Sequence, residues 1–274
     1  MSTSGSLQPR SFSAIIPTRD RPGDLAACLR SVTAADNGRL REIIVIDDGS
    51  RVPCQIDSAL VRVPVQLIRH ETSQGPDRCR NTAVEAALGD DMAFLDDDAR
   101  LPQDWFTIAS TAVDAGWQAF TGRVLPFDHG IVSRARQWRY DQRYSALFTG
   151  QTTSFLAGGN SVVDRKAFRN ANGFPILAAG GDNGLVSRLA GEGVDCRFLW
   201  DLRVLHRNSK GLGTAAKQAW RAGLANPAPS RRIAFDEFSR SLQALRSAPA
   251  DIGLLNGSLQ LMNTAGRMVA RSTT

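Results

Sequence analysis

The sequence predicts an α/β protein with a mostly parallel sheet flanked by helices and a helical extension at the C-terminus. Short apolar, β-branched runs alternate with stretches of helical periodicity throughout residues 12–124. Alternation of this kind is typical of βαβ units. Polar residues follow several of the runs directly, and the chain of 274 residues is long enough for one large α/β domain.

The individual elements follow from periodicity and from the placement of Gly and Pro. In the first half, strands are predicted over 12–17, 42–46, 65–68, 92–95 and 118–124, with helices over 22–32 and 77–88 and a third from residue 102. Gly89 is expected to end the second helix. The second half is less regular, and its predicted elements are a helix over 183–190, a strand at 204–206 and helices over 231–246 and 250–270.

The predicted organisation has three parts. Residues 1–11 are expected to form a disordered lead, 12–210 one α/β domain with halves 12–124 and 125–210, and 211–274 a helical extension. No apolar run approaches the roughly 18 residues of a membrane span, and the first residues lack the apolar core of a signal peptide. Four scattered cysteines without metal-ligand spacing fit a reducing cytoplasm.

Charge is distributed unevenly along the chain. The net charge is +6, yet the stretch from Arg197 onward holds 12 basic and 4 acidic residues. A basic segment can meet nucleic acid, anionic lipid or a phosphorylated substrate. We expect no nucleic-acid binding, whereas peripheral contact with the inner face of the membrane and homodimer formation through the C-terminal helices stay open.

Three consecutive carboxylates follow the buried run at 92–95. Asp96, Asp97 and Asp98 would repel one another at the end of a strand unless a cation balances them. Mg²⁺ and Mn²⁺ bind carboxylate oxygens and fill their remaining positions with water and substrate phosphates. The stretch predicts a site for Mg²⁺ or Mn²⁺ and a diphosphate, and the alternative is an acidic turn that caps a helix.

Polar residues at two further strand ends favour the binding site. Thr18 and Asp20 follow the first strand, and Asp47 and Asp48 follow the second. Ligands of open parallel sheets bind outside the carboxyl ends of the strands. Three polar strand ends on one edge therefore predict a ligand site there.

The second half offers weaker candidates. Residues 131–148 mix Arg with aromatics, which suits either a groove for a sugar or a solvated amphipathic helix. Gly158 and Gly159 suit a turn or a close approach to a ligand. Asp182 can cap the helix that follows it or serve as a base, and His206 ends a predicted strand.

The order of these segments resembles the family-2 inverting glycosyltransferases with the GT-A, Rossmann-like fold. The resemblance spans about residues 12–207 and rests on an ordered set of motifs: AIIPTRDR at 14–21, IIVIDDGS at 43–50, GPDRCRN at 75–81, FLDDDA at 94–99, GGN at 158–160, NGF at 172–174, GDNGLVSRL at 181–189 and VLH at 204–206. It implies transfer of one sugar from a nucleoside-diphosphate sugar, with UDP preferred over GDP or dTDP, to a glycan, lipid-linked or small-molecule acceptor.

The resemblance also implies roles for single residues on the donor side. Those implied to contact the nucleotide are Pro17, Thr18 and Arg19, with Asp47 or Asp48 accepting from the base, and Arg80 supporting the pocket. Asp96 would face the ribose or sugar, Asp97 would be the middle residue of the Asp-x-Asp motif, and Asp98 would ligate the metal.

On the acceptor side, Asp182 matches the family's catalytic base, and His206 matches a histidine that helps to hold the metal in some relatives. Two positions depart from the pattern. Gly181 stands where relatives carry an acidic residue, and Arg19-Asp20 stand where many carry Tyr-Asn.

Three other functions predict different features. A non-catalytic sugar-nucleotide or glycan-binding protein would keep the fold and lose transfer. A nicotinamide-dependent oxidoreductase would need a Gly-x-Gly-x-x-Gly turn after the first strand, where the chain reads Pro17-Thr18-Arg19-Asp20. A nucleic-acid binder would show steeply salt-dependent affinity.

Overall fold

A computed structural model describes residues 8–177, 180–209, 211–225, 228 and 230–271. The chain divides into two compact units, 1–124 with 147–176 and 181–205, and 125–146 with 177–180 and 206–274. The predicted disordered lead over residues 1–7 lies outside the described residues. Arg10, within the same predicted lead, pairs with Asp91 at 2.8 Å and with Asp164.

The first unit is built on a mixed sheet. Its strands are β1 (Phe12–Thr18), β2 (Leu40–Asp48), β3 (Val65–His70), β4 (Asp91–Leu95), β5 (Ala99–Arg100), β6 (Ala119–Pro126), β7 (Asn160–Asp164) and β8 (Cys196–His206). The described strands lie in the order β3-β2-β1-β4-β7-β6-β8-β5. The pairs β3–β2, β2–β1 and β1–β4 are parallel, which agrees with the βαβ prediction, whereas β7 is antiparallel to both β4 and β6.

Helices connect the strands of the first unit. They are α1 (Pro22–Ala35), α2 (Pro76–Ala86), α3 (Trp105–Asp114), α5 (Arg165–Asn170) and α6 (Gly181–Gly191). Pro stands at the first turn of α1 and α2, where its missing N–H costs no hydrogen bond. The core lies between sheet and helices, where Phe94, Phe168 and Phe174 pack edge-on or tilted with ring centroids 5.2–5.6 Å apart.

The predicted end of the second helix is wrong. α2 ends at Ala86, with Ala87 as its extended C-cap, so Gly89 is not the terminating residue. Gly89 is required elsewhere, because a Cβ there would lie 2.6 Å from the backbone nitrogen of Ser13. The close approach of this loop to β1 explains the glycine better than helix capping does.

The second unit is helical apart from short strand ends. Its helices are α4 (Ile131–Tyr144), α7 (Leu212–Ala225), α8 (Arg231–Ala244) and α9 (Ala250–Arg271). Helices α7 and α9 pack closely because Gly223 and Gly266 lie at their crossing. A Cβ on Gly223 would lie 2.1 Å from the Asn263 carbonyl oxygen, and one on Gly266 would lie 2.7 Å from that of Trp220. No helix among the described residues combines the length and apolarity needed to cross a membrane.

Candidate active site

The predicted convergence of strand ends is present in the first unit. β1 lies between β2 and β4, so Thr18 and Asp47, at the ends of β1 and β2, and Asp96, directly after β4, lie at one edge. Thr18 donates a 2.8 Å hydrogen bond from Oγ1 to Asp97 Oδ2. In the loop after β1, Pro17 is half-buried and Arg19 is exposed.

Asp47 and Asp48 organise the loops around them. Asp47 is fully buried, accepts backbone hydrogen bonds from Ser50 and Cys54 at 2.9 Å each, and pairs with Arg69. Burial raises its pKa, but these bonds outweigh that effect and hold the pKa of Asp47 below its usual value.

Asp48 connects β2 to the start of α2. It accepts hydrogen bonds from Ser73 Oγ at 2.7 Å and from the backbone nitrogens of Gln74 at 2.7 Å and Gly75 at 3.0 Å. These bonds outweigh burial and lower the pKa of Asp48. Gly75 adopts a φ of +88°, which a residue with a side chain rarely adopts, and the helix begins at the next residue. Both carboxylates are thus held by protein donors, and their predicted contact with a base stays a prediction.

Two of the three carboxylates after β4, those of Asp97 and Asp98, are buried and share one arginine. Asp97 is 3% exposed and accepts from Thr18 and, at 2.7 Å, from Arg21 Nη1. Burial raises its pKa to about 6, against the opposing effect of Arg21. Asp98 is buried and accepts from the same Arg21 nitrogen at 3.3 Å. The middle carboxylate therefore faces the protein interior.

Asp96 turns to the opposite side of this loop. Its side chain is 37% exposed and accepts a 2.9 Å hydrogen bond from Arg80 Nη2. One of its carboxylate oxygens lies within 4.8 Å of an oxygen of Asp98. The two carboxylates that flank Asp97 can therefore act on one cation or one diphosphate.

Arg80 joins the strand-end carboxylates to Asp182. Arg80 is 4% exposed, and Nη1 lies 3.4 Å from Asp77 Oδ1 and 3.6 Å from Asp182 Oδ1. Its guanidinium also lies 5.5 Å from the centroid of the Phe174 ring. One buried cation thus lies among three carboxylates from three separate segments of the chain.

Asp182 lies in the first turn of α6, so the prediction that it caps this helix is wrong: the helix begins at Gly181. Its Oδ2 accepts from the Gly158 backbone nitrogen at 3.3 Å, and its side chain is 40% exposed. Loss of hydration raises the pKa of Asp182 despite Arg80 nearby. A carboxylate with a raised pKa is a stronger base.

Two glycines make room for these carboxylates. A Cβ on Gly158 would lie 2.4 Å from Asp182 Oδ1, and one on Gly159 would lie 2.3 Å from Asp96 Oδ2. The next residue, Asn160, is fully buried, donates to the carbonyls of Arg123 and Leu202, and accepts from Trp105 Nε1. The GGN motif therefore places two carboxylates close to a backbone that Asn160 fixes.

A third close approach involves Gly181, the position where the family resemblance implies an acidic residue. A Cβ on Gly181 would lie 1.9 Å from Asp77 Oδ2. Asp77, from the first turn of α2, therefore occupies the volume that a side chain at position 181 would need. Sequence reasoning missed Asp77, because no local pattern connects two positions more than 100 residues apart.

His206 ends β8 and belongs to the second unit. It is 4% exposed, and its Nδ1 lies 3.1 Å from Asn208 Oδ1. A proton on Nδ1 would make this contact a hydrogen bond and would leave Nε2 as the atom that can bind a metal. The predicted role of His206 stays a prediction.

The carboxylate cluster fits a hard divalent cation. Its potential ligands are the carboxylate oxygens of Asp96 and Asp98, which lie within 4.8 Å of each other. Paired carboxylate oxygens suit Mg²⁺ or Mn²⁺. Arg21 lies within the AIIPTRDR motif, and no local sequence pattern predicts its pairing with Asp97 and Asp98.

Comparison with known proteins agrees with this geometry. The family model described as glycosyl transferase family 2 matches residues 13–171. A pre-mycofactocin glycosyltransferase of Mycobacterium tuberculosis is 27% identical over 96% of this chain and 58% of its own length, so the chain spans under two thirds of that relative. Glycosyltransferase AglE of Haloferax volcanii is 26% identical over 77% of this chain and 71% of its own length.

Solved structures share the fold. A mannosyltransferase from Pyrobaculum calidifontis, in complex with GDP-Man and Mn²⁺, has a TM-score of 0.58 and 18% identity over 98% of this chain and 76% of its own. TarS of S. aureus, residues 1–349 with UDP-GlcNAc, has a TM-score of 0.57 and 15% identity over 96% of this chain and 91% of its own. The strand-end carboxylates thus lie in a GT-A fold, and the chain belongs to glycosyl transferase family 2.

Proposed function

We propose that this glycosyltransferase moves a single sugar, with inversion, from a nucleoside-diphosphate sugar to a hydroxyl of a glycan, lipid-linked or small-molecule acceptor. The observation that carries the proposal is the position of Arg80, whose guanidinium contacts both Asp96 and Asp182. It links the carboxylate assigned to the donor with the carboxylate assigned to the acceptor. A donor bound at Asp96 therefore lies close to a base, Asp182, because the same guanidinium contacts both carboxylates.

On the donor side, Asp98 would hold Mg²⁺ or Mn²⁺, which supplies Lewis-acid stabilisation to the diphosphate oxygens. Asp96 orients the ribose or the sugar, and Arg80 fixes Asp96 in turn. The nucleotide would bind at the same edge of the sheet, against residues 17–19, Asp47 and Asp48. A similar fold binds GDP-Man in one solved structure and UDP-GlcNAc in another, and we propose UDP here because the motif resemblance is to UDP-dependent relatives.

On the acceptor side, Asp182 takes the proton of the attacking hydroxyl. The acceptor oxygen forms its bond to the anomeric carbon as the bond to the diphosphate breaks on the opposite face, so the anomeric configuration inverts. The raised pKa of Asp182 strengthens it as a base. A second catalytic acid is not needed, because the leaving diphosphate is stabilised as an anion.

A donor screen tests the proposal. Purified protein is incubated with UDP-, GDP- and dTDP-sugars, each with Mn²⁺, Mg²⁺ or EDTA, and donor consumption, thermal stabilisation and the anomeric configuration of the product are measured. We expect metal-dependent consumption of a UDP-sugar and an inverted product. A retained configuration, or full turnover in EDTA, would contradict the mechanism.

A further inference from the structure

A polar cavity in the second unit has no place in the mechanism above. It measures about 410 Å³ and lies among α4, α7 and α9. Its lining residues are Val132, Ala135, Arg136, Arg139, Tyr140, Arg143, Asn208, Ala215, Gln218, Ala219, Ala222, Asn256, Leu259, Gln260 and Asn263. Three are arginines and five are amides, and none of the described lining residues is acidic.

The three arginines lie on one face of α4. Their spacing of three and four residues puts Arg136, Arg139 and Arg143 on successive turns. Partial loss of hydration lowers the pKa of Arg139, and repulsion from Arg136 and Arg143 lowers it further. Like charges held together in this way attract an anion, and a guanidinium binds phosphate through two parallel hydrogen bonds.

Asn256 gives a second indication of a ligand. It is 4% exposed, and its Nδ2 donates to the Ala135 carbonyl at 3.2 Å. Its Oδ1 is buried and accepts no hydrogen bond from any residue in the described part of the chain. A buried acceptor without a donor is costly, and a ligand hydroxyl would satisfy it.

We propose that this cavity binds a phosphoryl group attached to a hydroxyl-rich body, such as a sugar phosphate. Arg136, Arg139 and Arg143 bind the phosphoryl oxygens, and Asn256 Oδ1 accepts from a hydroxyl. Neither of these two contacts depends on sugar transfer, so this proposal is independent of the proposed catalytic mechanism.

Calorimetry on the full chain in EDTA tests the cavity, with inorganic phosphate, glucose 1-phosphate and glucose as probes. Arg139→Gln should weaken glucose 1-phosphate binding about tenfold, the equivalent of about 1.4 kcal/mol. Arg134→Gln is the matched control, because Arg134 lies on the same helix outside the cavity and pairs with Asp251. It should change binding less than twofold.

Two further measurements complete the test. Asn256→Ala should weaken glucose 1-phosphate and leave inorganic phosphate unchanged. Vesicles of phosphatidylglycerol in phosphatidylcholine separate the sources of the phosphoryl group: Arg139-dependent binding to vesicles alone assigns it to a lipid headgroup. Equal binding of all probes by Arg139→Gln and the unmodified protein would overturn the proposal.

A separate observation concerns Asp77. Its Oδ2 occupies the position of a Cβ on Gly181, and its Oδ1 contacts the same Arg80 nitrogen that contacts Asp182. We infer that Asp77 is a positioning residue that holds Arg80 in place beside Asp182. It acts through Arg80, whose Nη1 it shares with Asp182. This inference rests on the proposed role of Asp182.

An exchange of the two positions tests the role of Asp77. Asp77→Ala should lower kcat about tenfold to a hundredfold, the scale of a misplaced catalytic group, with the donor KM unchanged. Asp77→Ala with Gly181→Asp returns a carboxylate to the space that was vacated and should recover most of kcat. Gly181→Asp alone should leave kcat low, because Asp77 still occupies the space that the new side chain needs.

The outcomes separate this inference from the mechanism. A double variant no more active than Asp77→Ala, with an unchanged melting temperature, would overturn the role of Asp77. Full activity in Asp182→Asn would instead remove the proposed base. Full activity in Asp77→Ala beside an inactive Asp182→Asn would overturn the role of Asp77 alone.

Discussion

Two sites of the molecule carry opposite charge. Carboxylates cluster at the strand-end edge of the first unit, and arginines cluster in the cavity of the second unit. At the edge, Arg80 and Arg21 each pair with more than one carboxylate, and the oxygens of Asp96 and Asp98 lie within 4.8 Å of each other. The cavity is lined by three arginines together with amides and apolar groups, and none of its described lining residues is acidic. The first arrangement suits a cation with its diphosphate, and the second suits an anion.

The largest effect is expected at Asp182. Asp182→Asn keeps the shape of the side chain and removes the proton acceptor, so kcat should fall about 10²- to 10⁴-fold. Donor affinity should change little, because Asp96 and Asp98 are intact. Steady-state kinetics with donor binding by calorimetry checks this, and full transfer by the variant would contradict the assignment.

A smaller effect is expected at Gly159. Gly159→Ala places a Cβ 2.3 Å from Asp96 Oδ2, so the carboxylate must leave its contact with Arg80. We expect weaker donor binding, about tenfold in Kd. Gly116→Ala is a control for alanine at a glycine in open space, although its φ of +83° adds strain of its own. Unchanged donor affinity in Gly159→Ala would show that Asp96 does not hold the donor.

The pH dependence offers a subtler test. Burial raises the pKa of Asp182, and a base acts only when deprotonated. Transfer measured as kcat/KM should therefore rise with pH through a pKa above the ordinary 3.8 of an aspartate. An acidic limb at or below that value would show that another group limits the reaction.

The smallest effect is expected at the exposed loop after β1. Arg19 is exposed and is assigned to the nucleotide only by resemblance. Arg19→Ala should weaken donor binding a few-fold, since a single exposed charge contributes at most about 1 kcal/mol. An exposed arginine near the start of β2, at the opposite end of the strand from Asp47 and Asp48, gives the comparison variant Arg41→Ala. Equal affinities of the two variants would remove Arg19 from the donor site.

The sequence predicted the edge better than it predicted the contacts within it. The placement of Asp47, Asp48 and Asp96–Asp98 follows from strand periodicity, because parallel strands bring their ends together. The antiparallel direction of β7 and the link from Arg80 to Asp182 depend on long-range packing, which a local pattern does not record. The glycine pair was predicted to serve a turn or ligand, yet it accommodates the protein's own carboxylates.

The central claim is that Asp98 holds the metal through which the diphosphate binds. Calorimetric titration of UDP with Mn²⁺ tests it most directly in the unmodified protein, in Asp98→Ala and in Asp104→Ala, an exposed carboxylate that pairs with Arg203. We predict that metal-dependent UDP binding is lost in Asp98→Ala and unchanged in Asp104→Ala, with both variants folded. Normal Mn²⁺-dependent UDP binding by Asp98→Ala would contradict the account.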